Sequence, residues 1–297
     1  MDNRLIQTSR VKSIYAYLKD SIKFYDIQNP LVAQISFVVQ LAIIFGGYAF
    51  ARPYTEEFFK TFEQISVNLQ SQLEVKPFDI SFLNSDNIMN MLNSLSTIFL
   101  ILVAINSLAF IVSLFYGTYY YYSLTHPSME GSERVTIFFR RLPKIIIFNI
   151  LYYSAFAIVV GSLILITVIA IAIIPFLSFL ISVFPLAIMV FNTMFIFKNF
   201  LIIEFDVGIF RNFKKALDIT KGCKKNVIIN GLWPLCMGWL LSTFAVDIQN
   251  PMLSLFITAF FEVIILMISQ RLTVLMFIDA ASLERHDIKR AQGSKQS

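Results

Sequence analysis

The chain has 297 residues, of which 57% are hydrophobic, only 14% are charged and 31 are phenylalanine. This composition excludes an ordinary soluble domain and is typical of an all-α protein that crosses a membrane several times. The formal net charge is +5, but the basic residues lie in short segments beside apolar runs, which indicates membrane topology and not nucleic-acid binding. The two cysteines have no CxxC spacing and predict neither a disulfide framework nor a thiolate metal site.

Six apolar spans are predicted, because a hydrocarbon core of about 30 Å needs roughly 20 helical residues. The stretch 145–197 has no charged residue and is too long for one span, so it predicts two spans joined by a turn near 175–178. Pro30 and Pro251 each follow an asparagine and predict helix starts. The predicted membrane domain is 31–278, with spans at 31–50, 98–121, 145–197 (two spans), 227–246 and 252–278.

The distribution of lysine and arginine predicts the orientation of the chain. Most of the 24 basic residues fall in four segments, namely 1–30, 123–144, 198–226 and 279–297. The intervening loop at about 51–97 holds only Arg52, Lys60 and Lys76 among a larger number of acids. The positive-inside rule then predicts that both termini are cytoplasmic, which agrees with an even number of spans.

Several segments outside the apolar cores have a helical period of their own. Residues 11–25, within an amphipathic N-terminal segment 1–30, place Val11, Ile14, Leu18, Ile22 and Tyr25 on one stripe. The loop 51–97 predicts an acidic external helical hairpin. Tyrosines at 116–122 predict an aromatic belt at the cytoplasmic headgroups, and 279–297 is a polar cytoplasmic tail.

The stretch GIFRNFKKALDITKGCKK, residues 208–225, predicts a basic amphipathic helix at about 207–222. Its predicted apolar face comprises Ile209, Phe210, Phe213, Ala216, Leu217 and Thr220. One interpretation is an interfacial helix whose cations bind anionic headgroups of the bilayer. The other is a docking helix for a cytoplasmic protein subunit such as an ATPase. The residues that would bind either are Arg211, Phe213, Lys214, Lys215 and Lys221.

Glu262 lies about ten residues into the last predicted span, where a charged group costs roughly 2.5 to 3.5 kcal/mol. Thr258, Ser269 and Thr273 share its helical face, and Asn106 is a polar counterpart at mid-depth of the second span. This stripe is either a structural contact between helices or part of a proton or cation pathway. Arg271 lies on the opposite side of the helix and is expected to reach the headgroups.

No catalytic motif is apparent, and no cofactor or metal site is predicted. The two histidines lack a metal-binding spacing, and GxSxG, P-loop and GxGxxG patterns do not occur. The external acids Glu56, Glu57, Glu63, Glu74, Asp79 and Asp86 could supply a carboxylate pair, but they also fit the solvated face of a helix.

The sequence IIEFDVGIFRNFKKALDITKGCKKN resembles a poorly characterised group of bacterial six-span proteins, which includes the membrane domain of glycerophosphoryl diester phosphodiesterases. The matching residues are Asp206, Gly208, Ala216, Leu217, Thr220, Lys221 and Gly222. The resemblance implies a six-span helical fold in a bacterial plasma membrane. No segment matches the phosphodiesterase domain, so no hydrolase activity is implied.

Two functions are therefore expected as alternatives, and an enzyme that uses the external carboxylates of the loop 51–97 is a third possibility. One is a non-enzymatic, permease-like or scaffolding subunit of a membrane assembly. The other is a self-contained secondary transporter that uses the intramembrane Glu262.

Overall fold

The computed structural model describes residues 10–73, 85–173, 176, 180–245 and 248–286. This part of the chain contains nine α-helices and no β-strand. The helices are α1 Tyr15–Ile22, α2 Pro30–Leu73, α3 Ser85–Thr125, α4 Gly131–Ile173, α5 Leu180–Met194, α6 Lys198–Phe205, α7 Ile209–Ile219, α8 Lys224–Ala245 and α9 Pro251–Ala280.

Among the described residues, five helical segments are long and apolar enough to cross a membrane. They are Pro30–Val67, Ile88–Thr125, Gly131–Ile171, Val183–Phe205 and Pro251–Ala280. The chain is thus a helical, multi-pass membrane protein. The predicted span 227–246 corresponds to α8, which is not among the five, and its last residue lies outside the described residues. The count of six spans stays a prediction.

The helices run much further than the predicted spans. α2 has 44 residues, and at 1.5 Å per residue it is about 66 Å long, roughly twice the hydrocarbon thickness. The predicted loop 51–97 is therefore helical up to Leu73 and again from Ser85, while residues 74–84 lie outside the described part. The predicted loop 123–144 is also mostly helix, since α4 begins at Gly131. Charges interrupt the apolar pattern at these places without ending the helices.

The boundary of the fourth predicted span also differs. The expected turn at 175–178 lies outside the described residues except for Phe176, which is exposed. α5 ends at Met194, and after a short turn α6 continues the apolar segment to Phe205. Lys198, which the sequence placed in a cytoplasmic loop, consequently lies inside a membrane-spanning candidate and is buried.

The chain divides into two compact units. One unit comprises Ile35–Ser113 and Leu241–Ile264. Aromatic edge contacts join its α2 and α9, with ring centroids 5.6 Å apart for both Phe37–Phe260 and Phe45–Phe256. Beyond the apolar part of α2, the Ser94 hydroxyl donates to the Glu57 carboxylate at 3.1 Å and ties α3 to α2.

The other unit comprises Met1–Gln34, Leu114–Leu240 and Ile265–Ser297, and its core includes the tyrosines of α3. The predicted belt at the headgroups is wrong for these residues, because Tyr116 and Tyr119 to Tyr122 are all buried in protein. The Tyr116 hydroxyl donates to the Phe24 carbonyl at 2.5 Å, and the Tyr122 hydroxyl donates to the Ile203 carbonyl at 3.2 Å. The hydroxyls of Tyr116 and Tyr122 are thus bonded to backbone carbonyls inside the protein.

The N-terminal helix uses a different face from the predicted one. Val11 of the predicted stripe is buried, whereas Ile22 and Tyr25 of that stripe are exposed. On α1 itself, Tyr17 and Ser21 are the buried residues. The Tyr17 hydroxyl donates to the Asp279 carboxylate at 2.6 Å, at the end of α9. Burial, and then this hydrogen bond, raise the pKa of Tyr17 well above its usual value. A polar contact, which a hydrophobic pattern does not show, thus orients α1.

Candidate functional site

Helix α7 is the first candidate, and local backbone conformations define its ends. Gly208 precedes it in an extended conformation, with φ −62° and ψ 148°. After Ile219, Gly222 takes φ +86°, a left-handed conformation that disfavours residues with a side chain, and the chain turns into α8. Glycines thus separate this short helix from its neighbours.

One face of α7 is packed against protein. The Asn212 side-chain amide donates to the Lys198 carbonyl at 2.8 Å, which fixes α7 to α6. The Phe213 ring lies 4.9 Å from that of Phe148 on α4, measured between centroids. Asn212 and Ala216 are both fully buried. This face contacts other helices of the same unit.

Within the described residues, the opposite face of α7 is cationic and exposed. Arg211, Lys214 and Lys215 on α7, and Lys221 in the turn after it, are exposed as the sequence predicted. The fifth predicted docking residue, Phe213, packs inward. Phe210 was predicted on the apolar face, but 84% of it is exposed. α7 therefore displays an aromatic side chain together with cations.

Asp206 fixes the segment that leads into α7. It caps α6 in a left-handed conformation at φ 48°, which aspartate tolerates better than most residues. Its carboxylate accepts a hydrogen bond from Lys144 at 2.5 Å and pairs with Arg141, both on α4. These two contacts, that of Lys144 first, hold the pKa of Asp206 below its ordinary value.

Glu262 on α9 is the second candidate, and its partner is Tyr48 on α2. The Tyr48 hydroxyl donates to Glu262 Oε2 at 2.6 Å, and Glu262 is half-buried. Sequence reasoning missed Tyr48, although a tyrosine hydroxyl within an apolar span needs a partner. The contact gives the carboxyl group one strong donor.

The other residues of the predicted polar stripe make hydrogen bonds within their own helices. Asn106 is exposed and donates to the Leu102 carbonyl of its own helix at 2.7 Å. The Thr258 hydroxyl donates to the Ser254 carbonyl, and the Thr273 hydroxyl donates to the Ser269 carbonyl. A common polar site around Glu262 therefore stays a prediction.

Arg271 does not reach outward to headgroups as expected, because it is 4% exposed. Its Nη1 donates to the carbonyls of Lys23 and Asp26, the second at 2.8 Å, just after α1. Its Nη2 donates to the Tyr120 hydroxyl at 3.0 Å, and the guanidinium carbon lies 4.0 Å from the Tyr120 ring centroid. Arg271 thus links the N-terminal segment to α3 through hydrogen bonds inside the protein.

Metal-ligating side chains do not cluster in the described part of the chain, where no group of three or more His, Cys, Asp or Glu could hold an ion. Cys223 is buried, which raises the pKa of its thiol, and Cys236 is exposed. The two free thiols are therefore distinct in their surroundings.

Comparisons of the chain with protein-family models, curated proteins and solved structures found no match. The resemblance of residues 202–226 to the six-span bacterial group consequently stays a prediction.

Proposed function

We propose that this protein is a non-enzymatic, permease-like or scaffolding subunit of a membrane assembly, and that α7 docks a cytoplasmic protein with an acidic surface. In this proposal the chain crosses the cell membrane six times, with both termini in the cytoplasm. The observation that carries the proposal is the division of α7 into a face packed on protein and an exposed face with Phe210 and cations.

Contacts among the basic segments support the six-span topology. The Asn226 and Asn230 side chains, at the start of α8, donate to the carbonyls of Val11 and Lys12 at 2.7 and 2.9 Å. The end of α9 contacts α1 through Asp279 and Tyr17. Since the start of α8 and the end of α9 both contact the N-terminal segment, a membrane-crossing α8 accounts for the return of the chain to one side.

The packing of α7 favours a protein partner over lipid alone. A helix that only rests on a bilayer turns its apolar face into the acyl region. Here Phe213 packs against an aromatic ring of α4 and Ala216 is buried in the protein. Phe210 is exposed, as are the neighbouring Arg211 and Lys214. Aromatic and arginine side chains are enriched at protein interfaces, and the cations select an acidic partner.

The proposal is tested by affinity purification from native membranes in mild detergent. We expect wild-type protein to retain a specific cytoplasmic protein, for example a nucleotide-binding subunit, that the double variant Lys214→Glu, Lys215→Glu loses. A matched control, Lys224→Glu with Lys225→Glu, makes the same charge change at exposed positions on α8 and should retain the partner. The partner must then bind purified wild-type protein directly.

Two results would contradict docking by α7. One is that wild-type protein and the α7 variant retain the same proteins in equal amounts. The other is that no protein is retained while the α7 variant alone loses affinity for vesicles with anionic headgroups. The second result identifies α7 as a membrane-surface helix.

A secondary transporter that uses Glu262 is the alternative function, and the hydrogen bond from Tyr48 favours it. A carboxyl group with a hydroxyl donor can exchange a proton while its partner keeps it oriented. This alternative predicts an inactive but folded Glu262→Gln variant, whereas the scaffold predicts normal partner binding by the same variant.

A further inference from the structure

An apolar groove with a volume of about 280 Å³ lies between α4 and α5, and α7 contributes to its wall. We call it the aromatic groove, and its defining residues are Tyr152, Phe156, Leu163, Phe191, Phe195 and Phe213. Val159, Leu163 and Phe191, which line it, are each about half exposed, at 56%, 48% and 43%. The groove is therefore open along its side, within segments that are apolar enough to lie in the bilayer.

The length of the groove matches one leaflet. Its lining on α4 extends from Tyr152 to Leu163, which at 1.5 Å per residue is about 17 Å. This is about half of the roughly 30 Å hydrocarbon core. An acyl chain that lies beside α4 fits this length and the apolar lining, whereas a polar solute finds almost no hydrogen-bonding partner there.

Lys198 places a buried amine, which carries a positive charge when it is protonated, beside the same groove. It is 6% exposed, and its Nζ lies 3.6 Å from the ring centroid of Tyr152, which lines the groove, and 4.5 Å from that of Tyr153. Within the described residues, no carboxylate lies within 4.0 Å of this ammonium group. The two rings compensate the charge of the protonated amine only in part, since an aromatic face supplies a quadrupole and no negative charge. An anion at this position would therefore be attracted.

We propose that the aromatic groove binds an anionic phospholipid, with one acyl chain along α4 and α5 and the phosphate at Lys198. The charge of the surroundings supports a lipid of the leaflet next to α7. Phe213 of α7 closes the groove near Tyr152, and the exposed cations of the same helix make this end of the unit electropositive, which attracts anionic groups of lipids as well as of proteins. The inference does not depend on a protein partner for α7.

The test is native mass spectrometry of the full chain reconstituted with equal amounts of phosphatidylglycerol and phosphatidylcholine that carry identical acyl chains. We expect wild-type protein to retain one phosphatidylglycerol in preference to phosphatidylcholine. Lys198→Met should reduce this preference about tenfold, the effect of losing one charge-assisted contact, and Lys198→Arg should keep most of it. Lys225→Met, an exposed lysine on α8, is the matched control and should retain the preference.

A second pair of variants tests the acyl chain separately. Ala187→Phe places a bulky ring in the lining and should reduce the retention of both lipids. Ala157→Phe adds the same ring at an exposed position of α4 outside the lining and should not. Equal retention of both lipids by wild-type protein overturns the proposal, and this result requires no variant to fold. Retention unaffected by both Lys198→Met and Ala187→Phe, or displacement of phosphatidylglycerol by an equal amount of oleate, also overturns it.

Discussion

The Tyr48 hydroxyl donates a 2.6 Å hydrogen bond to Glu262 Oε2, and this contact joins α2 to α9 within one unit of the protein. The two residues are 214 positions apart in sequence. A hydrogen bond to a carboxyl group in an apolar segment can hold two helices together or keep a proton-exchanging group in place. Both roles make measurable predictions.

Removal of the donor should weaken the contact between α2 and α9. Tyr48→Phe is expected to lower stability by about 1 to 3 kcal/mol, because the acceptor stays in place without a donor. Thr258→Val should have a smaller effect, because the Thr258 hydroxyl donates to the Ser254 carbonyl of its own helix. Thermal unfolding in detergent measures both variants. A Tyr48→Phe variant as stable as Thr258→Val would show that the bond contributes nothing.

The transporter alternative is tested on the same pair in liposomes. If Glu262 carries protons, wild-type protein should dissipate an imposed pH gradient, as measured with an enclosed pH-sensitive dye. Glu262→Gln should abolish the flux, because an amide does not exchange the proton, and Tyr48→Phe should alter its pH dependence. A folded Glu262→Gln variant with the flux of wild-type protein would exclude this role.

Arg271 should be important for stability. It donates to two backbone carbonyls and a tyrosine hydroxyl while buried, and the ammonium group of lysine cannot reproduce the planar donor geometry. We expect Arg271→Lys to cost about 2 to 4 kcal/mol, which a fall in the midpoint of thermal unfolding would report. Arg211→Lys, an exposed arginine on α7, is the control. Equal midpoints for the two variants would show that the hydrogen bonds of Arg271 do not stabilise the protein.

Asp206 should make a small contribution to stability that depends on pH. Its contacts with Lys144 and Arg141 lower its pKa in the folded protein, so its stabilising effect is full above the unfolded pKa, about 3.9, and disappears as pH falls through the lower folded value. Because the side chain is 49% exposed, Asp206→Asn should cost only about 0.5 to 1 kcal/mol near neutral pH.

The measurement for Asp206 is the unfolding midpoint of wild-type protein and Asp206→Asn between about pH 3 and pH 7. The difference should be largest at neutral pH and should shrink in acid. Asp218→Asn changes an exposed aspartate on α7 and is the matched control. A difference that grows as pH falls would have the wrong sign for this contact.

Gly231 should be intolerant of a side chain. A Cβ at this position would lie 2.4 Å from Cγ2 of the buried Thr193, whose branched side chain has little freedom in a helix. Gly231→Ala is expected to cost about 1 to 3 kcal/mol. Gly238→Ala on the same helix would meet Ile265 at 3.5 Å, an ordinary contact, and should be tolerated.

A rescue experiment tests the stated cause for Gly231. Thr193→Ser removes Cγ2 and keeps the hydroxyl, so the combined variant with Gly231→Ala should recover most of the lost stability in a double-mutant cycle. Additive losses would show that another contact is responsible.

The six-span topology is tested with single cysteines in a variant that lacks Cys223 and Cys236. Gln64→Cys on α2 and Gln249→Cys between α8 and α9 should both react with a membrane-impermeant maleimide from outside intact cells. His286→Cys should react only after permeabilisation. If Gln249→Cys behaves as His286→Cys does, α8 does not cross the membrane.

The sequence by itself determined the class of protein and the positions of five apolar helical segments. Five of the predicted spans correspond to membrane-spanning candidates because long apolar runs are stable only as helices in lipid. It also identified the exposed cations of α7, since a strongly amphipathic period over eleven residues distinguishes two faces.

Only the tertiary structure decided which faces meet and which polar groups become partners. The period of one helix shows a stripe, but it contains no information on the distant residue opposite that stripe. Tyr48, which the sequence did not indicate, donates a hydrogen bond to Glu262, whereas Asn106 donates within its own helix. Arg271 was expected at the headgroups but donates to backbone carbonyls. Lys198 is the clearest case. A lysine at the end of an apolar run predicts the start of a loop, but in the structure Lys198 packs against Tyr152 and is buried.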